Sequence, residues 1–354
     1  MTDIFNENQK KVPEVSVIIV TWNSMRYIFD CFESLIHQTF RDFSVTVIDN
    51  GSYDGTVEFI RTHYPNIYIL QNFKNLGFSR AYNQGIRLSS SPYVLVMNDD
   101  VVLNENFLFE LVGFARMHVK AGSLGGKMLK LYTGEINVSE RAGGLKELIK
   151  TDKIDSAGLK IYKSRRVINR GEHQQDVGQF DRTEEVFGIS GACVLFRKEA
   201  LEDIKIKDEY FDQDFFAYKE DIDIAWRLRL YGWENYYVPA AVGYHHRRLG
   251  GSAKSDSWAL ARHRQKLPRL LRHYSFRNHH LMLVKNLLLV NVFRHLIYIG
   301  WYEIKLLCYV IFFEPFLIKS LLSFFRQLPN ALLKRNVIMG HRKISPQQIR
   351  IWFK

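Results

Sequence analysis

Acidic residues that directly follow apolar runs are the positions in this sequence with the clearest potential for chemistry. Asp99 and Asp100 come after the apolar run 93–97, and Asp49 ends an earlier run of the same kind. Two adjacent carboxylates at a strand end need a cation, and oxygen ligands select Mg²⁺ or Mn²⁺, usually shared with substrate phosphates. Taken singly, each acid is equally well explained as a turn former or a helix cap.

A second acidic cluster opens a predicted helix in the segment 215–233. Glu220, Asp221 and Asp223 fall in its first turn, where the helix dipole favours negative charge. Capping accounts for one acid there but does not call for three, and a carboxylate free to accept a proton is what a general base requires. Asp223 with Arg227 four residues later is most simply an ion pair on the helix surface.

Two adjacent histidines follow the predicted helix after one further strand. His245 and His246 lie beside Arg247 and Arg248, ahead of the glycine-rich stretch 250–252. A lone histidine is more often structural than a ligand. In this setting one imidazole can complete the shell of a cation, and the arginines suit the oxygens of a diphosphate.

Alternating strands and helices are predicted to position these residues. The β-branched run 15–20 is typical of a strand buried on both faces of a parallel sheet, and similar runs recur at 45–48, 67–70 and 93–97. Each of the first three is followed by a polar turn and a predicted helix, and the fourth ends in Asn98, Asp99 and Asp100. The pattern indicates a doubly wound α/β sheet, mixed or mostly parallel, whose ligands bind beyond the carboxyl ends of the strands. The residues expected to converge there are Thr21, Trp22, Asn23, Asp49, Asn98, Asp99 and Asp100.

Length and composition exclude several classes of protein. The chain has 354 residues with 8 prolines and 22 glycines, which is unlike collagen or a largely disordered chain. Cys31, Cys193 and Cys308 are far apart and odd in number, so a reducing compartment is expected rather than a disulfide scaffold or a zinc site. Residues 1–12 are polar, which predicts a tail and no signal peptide. No GxGxxG follows the first strand, which disfavours a dinucleotide-binding domain.

The net charge of +12 is unevenly distributed. From His245 to the last residue the chain carries 20 Lys and Arg against 3 acids, whereas the rest carries 29 basic and 34 acidic residues. The basic segment is also rich in Leu, Ile, Phe and Tyr, which favours an anionic membrane surface over nucleic acid as a partner. Charged residues interrupt each apolar run, so no spanning helix is expected. Helices in the headgroup layer and helices packed on the preceding domain or a partner both stay open.

Seven segments, in order, resemble those of the family-2 inverting glycosyltransferases of the GT-A fold, closest to the rhamnosyltransferase-like branch. They are VSVIIVTWN (15–23), VIDNGSYDGT (47–56), NLGFSRAYNQG (75–85), LVMNDDV (95–101), VFGISGACVLFRKEAL (186–201), FFAYKEDIDIAWRLRLYGW (215–233) and VPAAVGYHHRRLGGS (238–252). The resemblance implies metal-dependent transfer of a sugar, with rhamnose as one candidate, from a dTDP- or UDP-sugar. The acceptor would be a glycan or lipid-linked glycan in cell-surface polysaccharide synthesis, and the cofactor Mg²⁺ or Mn²⁺.

The resemblance also implies roles for individual residues. Asp221, with Glu220 beside it, would be the base, and Asp100 and His245 would be metal ligands. Asn98 stands where the family has the first acid of its D-x-D motif. The nucleotide-sugar site would comprise Thr21, Asn23, Asp49 on the base, Asn75, Arg80, Asn98, Asp99 and Gly191. Arg247 and Arg248 would hold the diphosphate.

The expected organisation is a tail (1–12), a GT-A catalytic domain (13–255) and a helical membrane-associating region (256–354). Residues 126–185 are expected to be a lid or acceptor-side loop, or equally a surface excursion. The protein would lie on the cytoplasmic face of the membrane as a peripheral, monotopic protein without a nucleic-acid partner, and an oligomer stays open. An inactive GT-A module that serves as a membrane scaffold is the alternative. A nucleotidyltransferase is less favoured because TWNSM replaces the basic, glycine-rich loop expected after its first strand.

Overall fold

A mixed β-sheet forms the centre of the protein. The computed structural model describes residues 12–135, 146–246 and 267–354, and within these ranges the sheet has ten strands. The first elements are β1 (Val15–Thr21), α1 (Ile28–Ile36), β2 (Phe43–Asp49), α2 (Thr56–His63), β3 (Tyr68–Gln71), α3 (Phe78–Leu88) and β4 (Tyr93–Asn98). They alternate as the sequence predicts, because the buried runs of β1 and β2 are each followed by a helix with one apolar face. Strand β3 is partly exposed, and a second short strand follows β4 before the next helix.

The second half of the sheet is more irregular. Its elements are β5 (Val101–Leu103), α4 (Phe107–Met117), β6 (Ala121–Glu135), β7 (Lys146–Ser156), β8 (Leu159–Ile161), β9 (Val167–Asn169), β10 (Glu184–Glu185), β11 (Cys193–Arg197), α5 (Lys198–Asp203), α6 (Glu220–Leu230) and β12 (Glu234–His245). Strands β8 and β9 pair with each other as a separate small sheet. The described residues of the segment 126–185 thus include several paired strands, and β7 adds to the main sheet through β6.

The strand order β10-β12-β6-β11-β4-β1-β2-β3 places the predicted strand ends side by side. Strands β1, β2, β3 and β4 run parallel, and β11 lies antiparallel between β4 and β6. In register, Thr21 is opposite Asp49 and Val20 is opposite Asn98. The ends of β1, β2 and β4 are therefore level, and the doubly wound, mixed sheet of the sequence prediction is confirmed.

Hydrophobic cores cover both faces of the sheet. One contains apolar residues of α1 and α4 together with Val17, Ile19 and Leu95. The other contains residues of α3, α5 and α6 together with Ile18 and Val96. Alternate residues of one strand thus face opposite cores, which is why the central strands read as uninterrupted apolar runs. All three cysteines are free thiols.

The C-terminal elements are helical, as predicted. They are α7 (Arg269–Asn286), α8 (Leu289–Arg294), α9 (Leu296–Phe313), a 3₁₀ turn (Pro315–Leu317), α10 (Ile318–His341) and α11 (Pro346–Arg350). Leu281 and Met282 of α7 and Ala331 and Ile338 of α10 belong to the same core as Ile18 of β1. Helices α7 and α10 therefore pack on the domain that contains the sheet. The predicted boundary at 255/256 falls outside the described residues.

Helix α9 differs from its neighbours because most of its apolar surface is exposed. Within the described residues, α9 is the one helix that is long and apolar enough to cross a membrane by length and composition, with 11% of it buried. Two charged residues, Glu303 and Lys305, interrupt this helix, so it contains no run of 18 uncharged apolar residues, as the sequence analysis expects. That no helix spans a membrane stays a prediction. Glu303 faces α7, where its carboxylate lies 3.2 Å from the Nε2 atoms of both His279 and His280.

Candidate active site

Asp49 organises the loops at the ends of β1 and β2. Its side chain is fully buried and accepts hydrogen bonds from Thr21 Oγ1 and from the backbone N–H groups of Gly51 and Ser52, each at 3.0 Å, as well as from the Ser52 hydroxyl. Both carboxylate oxygens thus accept hydrogen bonds from residues at the ends of β1 and β2. In this structure Thr21 and Asp49 hold the ends of β1 and β2 together, and a contact of Asp49 with a nucleobase stays a prediction.

Asn23 joins the first loop to the second. Its φ of +52° lies in the left-handed region, which Asn adopts more readily than most residues. The Asn23 N–H donates to Ser52 Oγ at 2.9 Å, and its side-chain Oδ1 accepts from the N–H of Tyr53 at 3.0 Å. This predicted nucleoside residue therefore lies at the level of the strand ends.

Asn75 and Arg80 lie between β3 and the body of α3. Asn75 Oδ1 accepts from the N–H of Gly77 at 2.8 Å and closes the turn before the helix. Gly77 has φ +82°, and a Cβ there would collide with the carbonyl oxygen of Phe216. Only glycine fits this close approach, which brings α3 against the loop before α6. Arg80 is exposed on α3. Their nucleotide contacts stay predictions.

The end of β4 places three adjacent polar side chains in different environments. Asn98 Oδ1 accepts from the Tyr82 hydroxyl at 2.8 Å, and the buried carboxylate of Asp99 accepts from the Ser24 hydroxyl. Asp100 instead faces strand β12. The adjacent acids therefore have distinct partners, and Asp100 is directed at the candidate metal ligand His245.

Asp100 and His245 meet as predicted, with 3.3 Å between Asp100 Oδ1 and His245 Nε2. Strand β5 brings them together because it follows Asp100 and pairs antiparallel with β12, with Val101 opposite His245. Both side chains are at most 10% exposed. The oxygen and the nitrogen that the sequence analysis predicts as metal ligands are thus held close together.

Asp155, at the end of β7, contacts the other side of the same imidazole. Its Oδ2 lies 2.9 Å from His245 Nδ1. Since a carboxylate only accepts, Nδ1 carries the hydrogen of this contact. Metal-ligating histidines usually donate their second N–H to such a carboxylate, which fixes the tautomer and the ring orientation. Sequence analysis missed Asp155, because nothing in its local sequence, IDSAGL (154–159), relates it to a histidine 90 residues later.

The charges of this trio fit a divalent cation. Burial lowers the pKa of His245, but Asp100 and Asp155 outweigh burial and raise that pKa to about 9. Without a metal, the proton on the imidazole balances the negative charge of Asp100 and Asp155. A divalent cation held by Asp100 and His245 would balance the same charge. Within the described ranges no group of three or more His, Cys, Asp and Glu side chains is arranged to hold a metal. Two protein ligands suit an ion that takes its other oxygens from phosphates and water.

The predicted diphosphate residues Arg247 and Arg248 lie outside the described residues. The residue before them, His246, donates its backbone N–H to the carbonyl oxygen of Asp100 at 2.9 Å. Its ring lies 4.9 Å from that of Tyr27. The chain therefore leaves β12 beside the end of β4, and binding of a diphosphate by the two arginines stays a prediction.

Asp221 lies at the start of α6 with its carboxylate held by backbone groups. Oδ2 accepts from the N–H of Gly191 at 3.2 Å, and Oδ1 accepts from the N–H of Ile222 at 2.8 Å. A Cβ on Gly191 would approach Asp221 Cβ at 3.1 Å, so a glycine permits this contact. The residue after Gly191, Ala192, accepts the N–H of Asn98 at 2.8 Å. The predicted base is thus tied to the end of β4.

Glu220 and Asp221 form a pair of partly buried carboxyls. Burial and the neighbouring Asp221 raise the pKa of Glu220 to about 8. Burial also raises the pKa of Asp221, although the hydrogen bond from Gly191 opposes this effect. Glu220 Oε2 is buried and has no hydrogen-bond partner among the described residues. A carboxyl with a raised pKa is a stronger base once ionised, as general-base catalysis requires.

Asp223 is not on a helix surface, which corrects the sequence prediction. Its ion pair with Arg227 is present, with 3.1 Å between Arg227 Nε and Asp223 Oδ2, but both side chains are buried. Helix α7 covers them, since Lys285 Nζ and Asn286 Nδ2 lie 2.8 and 2.7 Å from Asp223 Oδ1. Spacing along α6 predicts the pair, whereas its burial depends on a helix more than 40 residues later.

Comparison with known proteins places these observations in a family. The chain matches Glycosyl transferase family 2 over residues 16–205 and Glycosyl transferase family group 2 over residues 161–325. It is 29% identical over 259 residues to the N-acetylglucosaminyl-diphospho-decaprenol L-rhamnosyltransferase of Mycobacterium tuberculosis strain H37Rv, an alignment that covers 70% of this chain and 81% of the relative.

Two further similarities are more distant. The poly-beta-1,6-N-acetyl-D-glucosamine synthase of Staphylococcus epidermidis is 24% identical over 249 residues, which are 68% of this chain and 51% of that protein. The crystal structure of GalNAc-T7 with UDP, GalNAc and Mn²⁺ superposes with a TM-score of 0.57 and 13% identity, and covers 77% of this chain and 49% of that one. At this identity the superposition describes the fold.

Proposed function

The chain belongs to glycosyl transferase family 2 and has the GT-A fold, and from this premise we propose that it is a metal-dependent inverting enzyme using a dTDP- or UDP-sugar. The observation that carries the proposal is the link from Asp221 through Gly191 and Ala192 to the end of β4, where Asp100 meets His245. A base and a cation site at one crevice are the two groups that direct displacement from a sugar diphosphate needs.

Asp221 is the group that would accept the proton of the acceptor hydroxyl. Inversion requires the acceptor oxygen to attack the anomeric carbon from the face opposite the leaving diphosphate, through an oxocarbenium-like state. The backbone N–H groups of Gly191 and Ile222 fix the direction of the carboxylate. Burial raises its pKa, which makes the carboxylate a stronger base once it is ionised.

Asp100 and His245 would hold the divalent cation, Mg²⁺ or Mn²⁺, with Asp155 orienting the imidazole. When bound, the cation supplies charge that stabilises the departing nucleoside diphosphate, so no second protein acid is needed. Asn23, Asn75, Arg80, Asn98 and Asp99 would surround the nucleotide and sugar. Arg247 and Arg248 would add positive charge to the diphosphate.

The proposed acceptor is a glycan or lipid-linked glycan of a cell-surface polysaccharide, and rhamnose is the first sugar to test. Support comes from the relative with 29% identity, whose name gives a rhamnosyl group and a polyprenyl-diphosphate-linked acceptor. A polyprenyl-linked acceptor lies at a membrane, which is consistent with the exposed apolar residues of the C-terminal helices.

We place the protein on the cytoplasmic face of the cell membrane as a peripheral protein, attached through α8, α9 and the start of α10. We call this the C-terminal apolar surface, and its exposed residues include Phe293, Ile297, Trp301, Ile304, Phe312 and Leu322. Exposed Arg294, Lys305 and Lys319 lie among them in the sequence. Apolar groups beside cations suit the headgroup layer of an anionic bilayer.

Calorimetric titration with UDP, dTDP and GDP, each with and without Mn²⁺, tests the donor site. We expect metal-dependent binding of UDP or dTDP and no binding of GDP. The nucleotide that binds selects the nucleotide-sugars for a transfer assay with a polyprenyl-diphosphate N-acetylglucosamine acceptor. If none of the three nucleotides binds with metal present, the proposal fails and a catalytically inactive membrane scaffold takes its place.

A further inference from the structure

Helix α7 presents a row of buried polar side chains to the segment that carries Asp221. Asn278, Lys285 and Asn286 are each fully buried. Lys285 and Asn286 follow Asn278 by seven and eight residues, about two helical turns, so all three lie on the same side of the helix. Buried polar groups need partners, and these side chains find them on both sides of Asp221 in sequence.

The first contact is just before the base. Asn278 Nδ2 donates to the carbonyl oxygens of Ala217 and Tyr218, both at 2.9 Å. Tyr218 and Lys219 have φ angles of +68° and +75°. Two successive non-glycine residues in the left-handed region cost free energy, and such a conformation persists only where its surroundings hold it. Asn278 supplies two of the bonds that hold it.

The second contact is just after the base. Asp223 accepts from Asn286 Nδ2 at 2.7 Å, and Lys285 Nζ lies 2.8 Å from the same oxygen. Lys285 also forms an ion pair with the buried Asp212, which in turn pairs with Lys334 of α10. Through these ion pairs, α7 and α10 are joined to Asp212, which precedes the base in sequence, and α7 is also joined to Asp223, which follows it.

Asp221 itself receives hydrogen bonds from two backbone groups, the N–H of Gly191 and that of Ile222. Its position therefore follows the backbone of residues 217–223. That backbone is held upstream by Asn278 and downstream by Lys285 and Asn286.

We propose that α7 is a positioning element for the catalytic base, with Asn278 and Lys285 as its positioning residues. The inference rests on the proposed function of Asp221. Neither side chain needs to touch the substrate. Asn278 acts through Tyr218 and Lys219, the two residues with left-handed backbone before the base. Lys285 acts through the buried carboxylate of Asp223 after it. A helix that follows the seven segments of the sequence analysis, the last of which ends at residue 252, thus completes the active site.

Asn278→Asp tests the upstream contact. Aspartate has nearly the same shape and still accepts from Arg277, whose Nε lies 3.0 Å from Asn278 Oδ1, but it places an acceptor against two carbonyl oxygens. We expect kcat to fall at least about 10-fold, because small misplacements of reacting groups are costly. KM for the donor and the calorimetric Kd of UDP or dTDP with Mn²⁺ should stay within about 2-fold of wild type.

Asn291→Asp is the matched control. Asn291 of α8 is also fully buried, and its Nδ2 donates to one backbone carbonyl, that of Pro346, at 2.9 Å. This variant should lose thermal stability without losing kcat. Hydrogen exchange adds a readout independent of turnover, since amides of residues 218–223 should exchange faster in Asn278→Asp than in Asn291→Asp.

Should Asn278→Asp fail to fold, Asn278→Ser, which keeps one hydroxyl donor, takes its place with the same expectations. The inference is overturned if the Asn278 variant keeps wild-type kcat and exchange, or if both variants lose kcat in proportion to stability. If wild type itself transfers no sugar, the proposed function fails, and the positioning inference fails with it. Wild-type transfer with an unaffected Asn278 variant rejects the positioning inference alone.

Discussion

Asp155 and His245 are 90 residues apart in sequence, yet Asp155 Oδ2 lies 2.9 Å from His245 Nδ1. Strand β6 brings the two residues together because it pairs with β12 on one side and with β7 on the other. These pairings place His245 opposite Lys130 and Ile154 opposite Leu129. The imidazole thus lies between two carboxylates, with Asp100 on its Nε2 side. By holding Nδ1 of His245, Asp155 orients Nε2, the nitrogen proposed to bind the metal.

Asp155→Asn should weaken metal binding. Asparagine can present its amide group to Nδ1 and release the ring from one tautomer, and loss of such a partner typically costs 10- to 100-fold in metal affinity. The measurement is titration of Mn²⁺ into the protein with saturating nucleotide, followed by electron paramagnetic resonance of free Mn²⁺. Asp152→Asn, an exposed position on the same strand, is the control and should bind Mn²⁺ as wild type does. Unchanged Mn²⁺ affinity in Asp155→Asn would show that Asp155 has no part in the metal site.

Asp221→Asn should abolish transfer while donor binding stays nearly intact. The amide keeps the shape of the side chain but cannot accept a proton, and a general base contributes roughly 10² to 10⁴ in rate. The measurement is kcat for sugar transfer beside the calorimetric Kd of the nucleotide. Glu220→Gln is the partner variant and should keep substantial activity. Normal turnover in Asp221→Asn would move the base elsewhere, first to Glu220.

Glu220 should make the stability of the ligand-free protein fall as pH rises. Its pKa is raised from 4.5 to about 8 by burial and by Asp221, so between these pH values the unfolded chain releases the proton and the folded chain keeps it. Glu220→Gln cannot ionise and removes this loss. The quantity to compare is the Tm of the variant minus the Tm of wild type at the same pH. We expect this difference to be roughly 5 °C larger at pH 8 than at pH 4.5.

The control for this pH dependence is Glu199→Gln, which changes an exposed glutamate on α5. Scanning calorimetry of all three proteins across the pH range gives the comparison. A Tm difference between Glu220→Gln and wild type that is the same at both pH values would contradict the raised pKa.

The C-terminal apolar surface should bind anionic vesicles. Ile297, Trp301 and Ile304 are exposed and lie four and three residues apart on one face of α9. Replacing all three with Gln should reduce sedimentation with phosphatidylglycerol-containing vesicles at least about 10-fold, because each removes apolar area that the headgroup layer would bury. Phosphatidylcholine vesicles should bind wild type more weakly, since they lack attraction for the basic residues.

A triple variant of exposed apolar residues on the catalytic fold, Met117→Gln, Val119→Gln and Val177→Gln, is the matched control. It should sediment as wild type does. Equal vesicle binding by the α9 variant and by wild type would place membrane attachment elsewhere or exclude it.

Sequence predicts the first half of the site well because its residues lie at the ends of locally recognisable elements. A buried run of β-branched residues indicates a strand, and the residue after it must lie at the carboxyl edge of the sheet. Asp49, Asn98 and Asp100 are found there. The acidic first turn of α6 is likewise a local pattern. Parallel strands that alternate with helices leave little freedom in where such ends converge.

Contacts across long stretches of chain had no comparable signal. The spacing of Asp223 and Arg227 predicts an ion pair, but not that α7 buries it with Lys285. Asn278 is one polar residue in a basic, apolar segment, and nothing local distinguishes it from an exposed one. Composition suggested a membrane surface for this whole region, whereas α7 and α10 pack on the catalytic fold.

The sequence by itself therefore determined the alternating strands and helices, the acids at their ends and the family. The tertiary structure decided which side chains orient those acids, namely Asp155 beside His245 and the α7 residues around Asp221. The physical reason is that hydrophobic periodicity reports only on which face of an element is buried. Partners of buried polar groups depend on which other element covers that face, and this is fixed only when the whole chain packs.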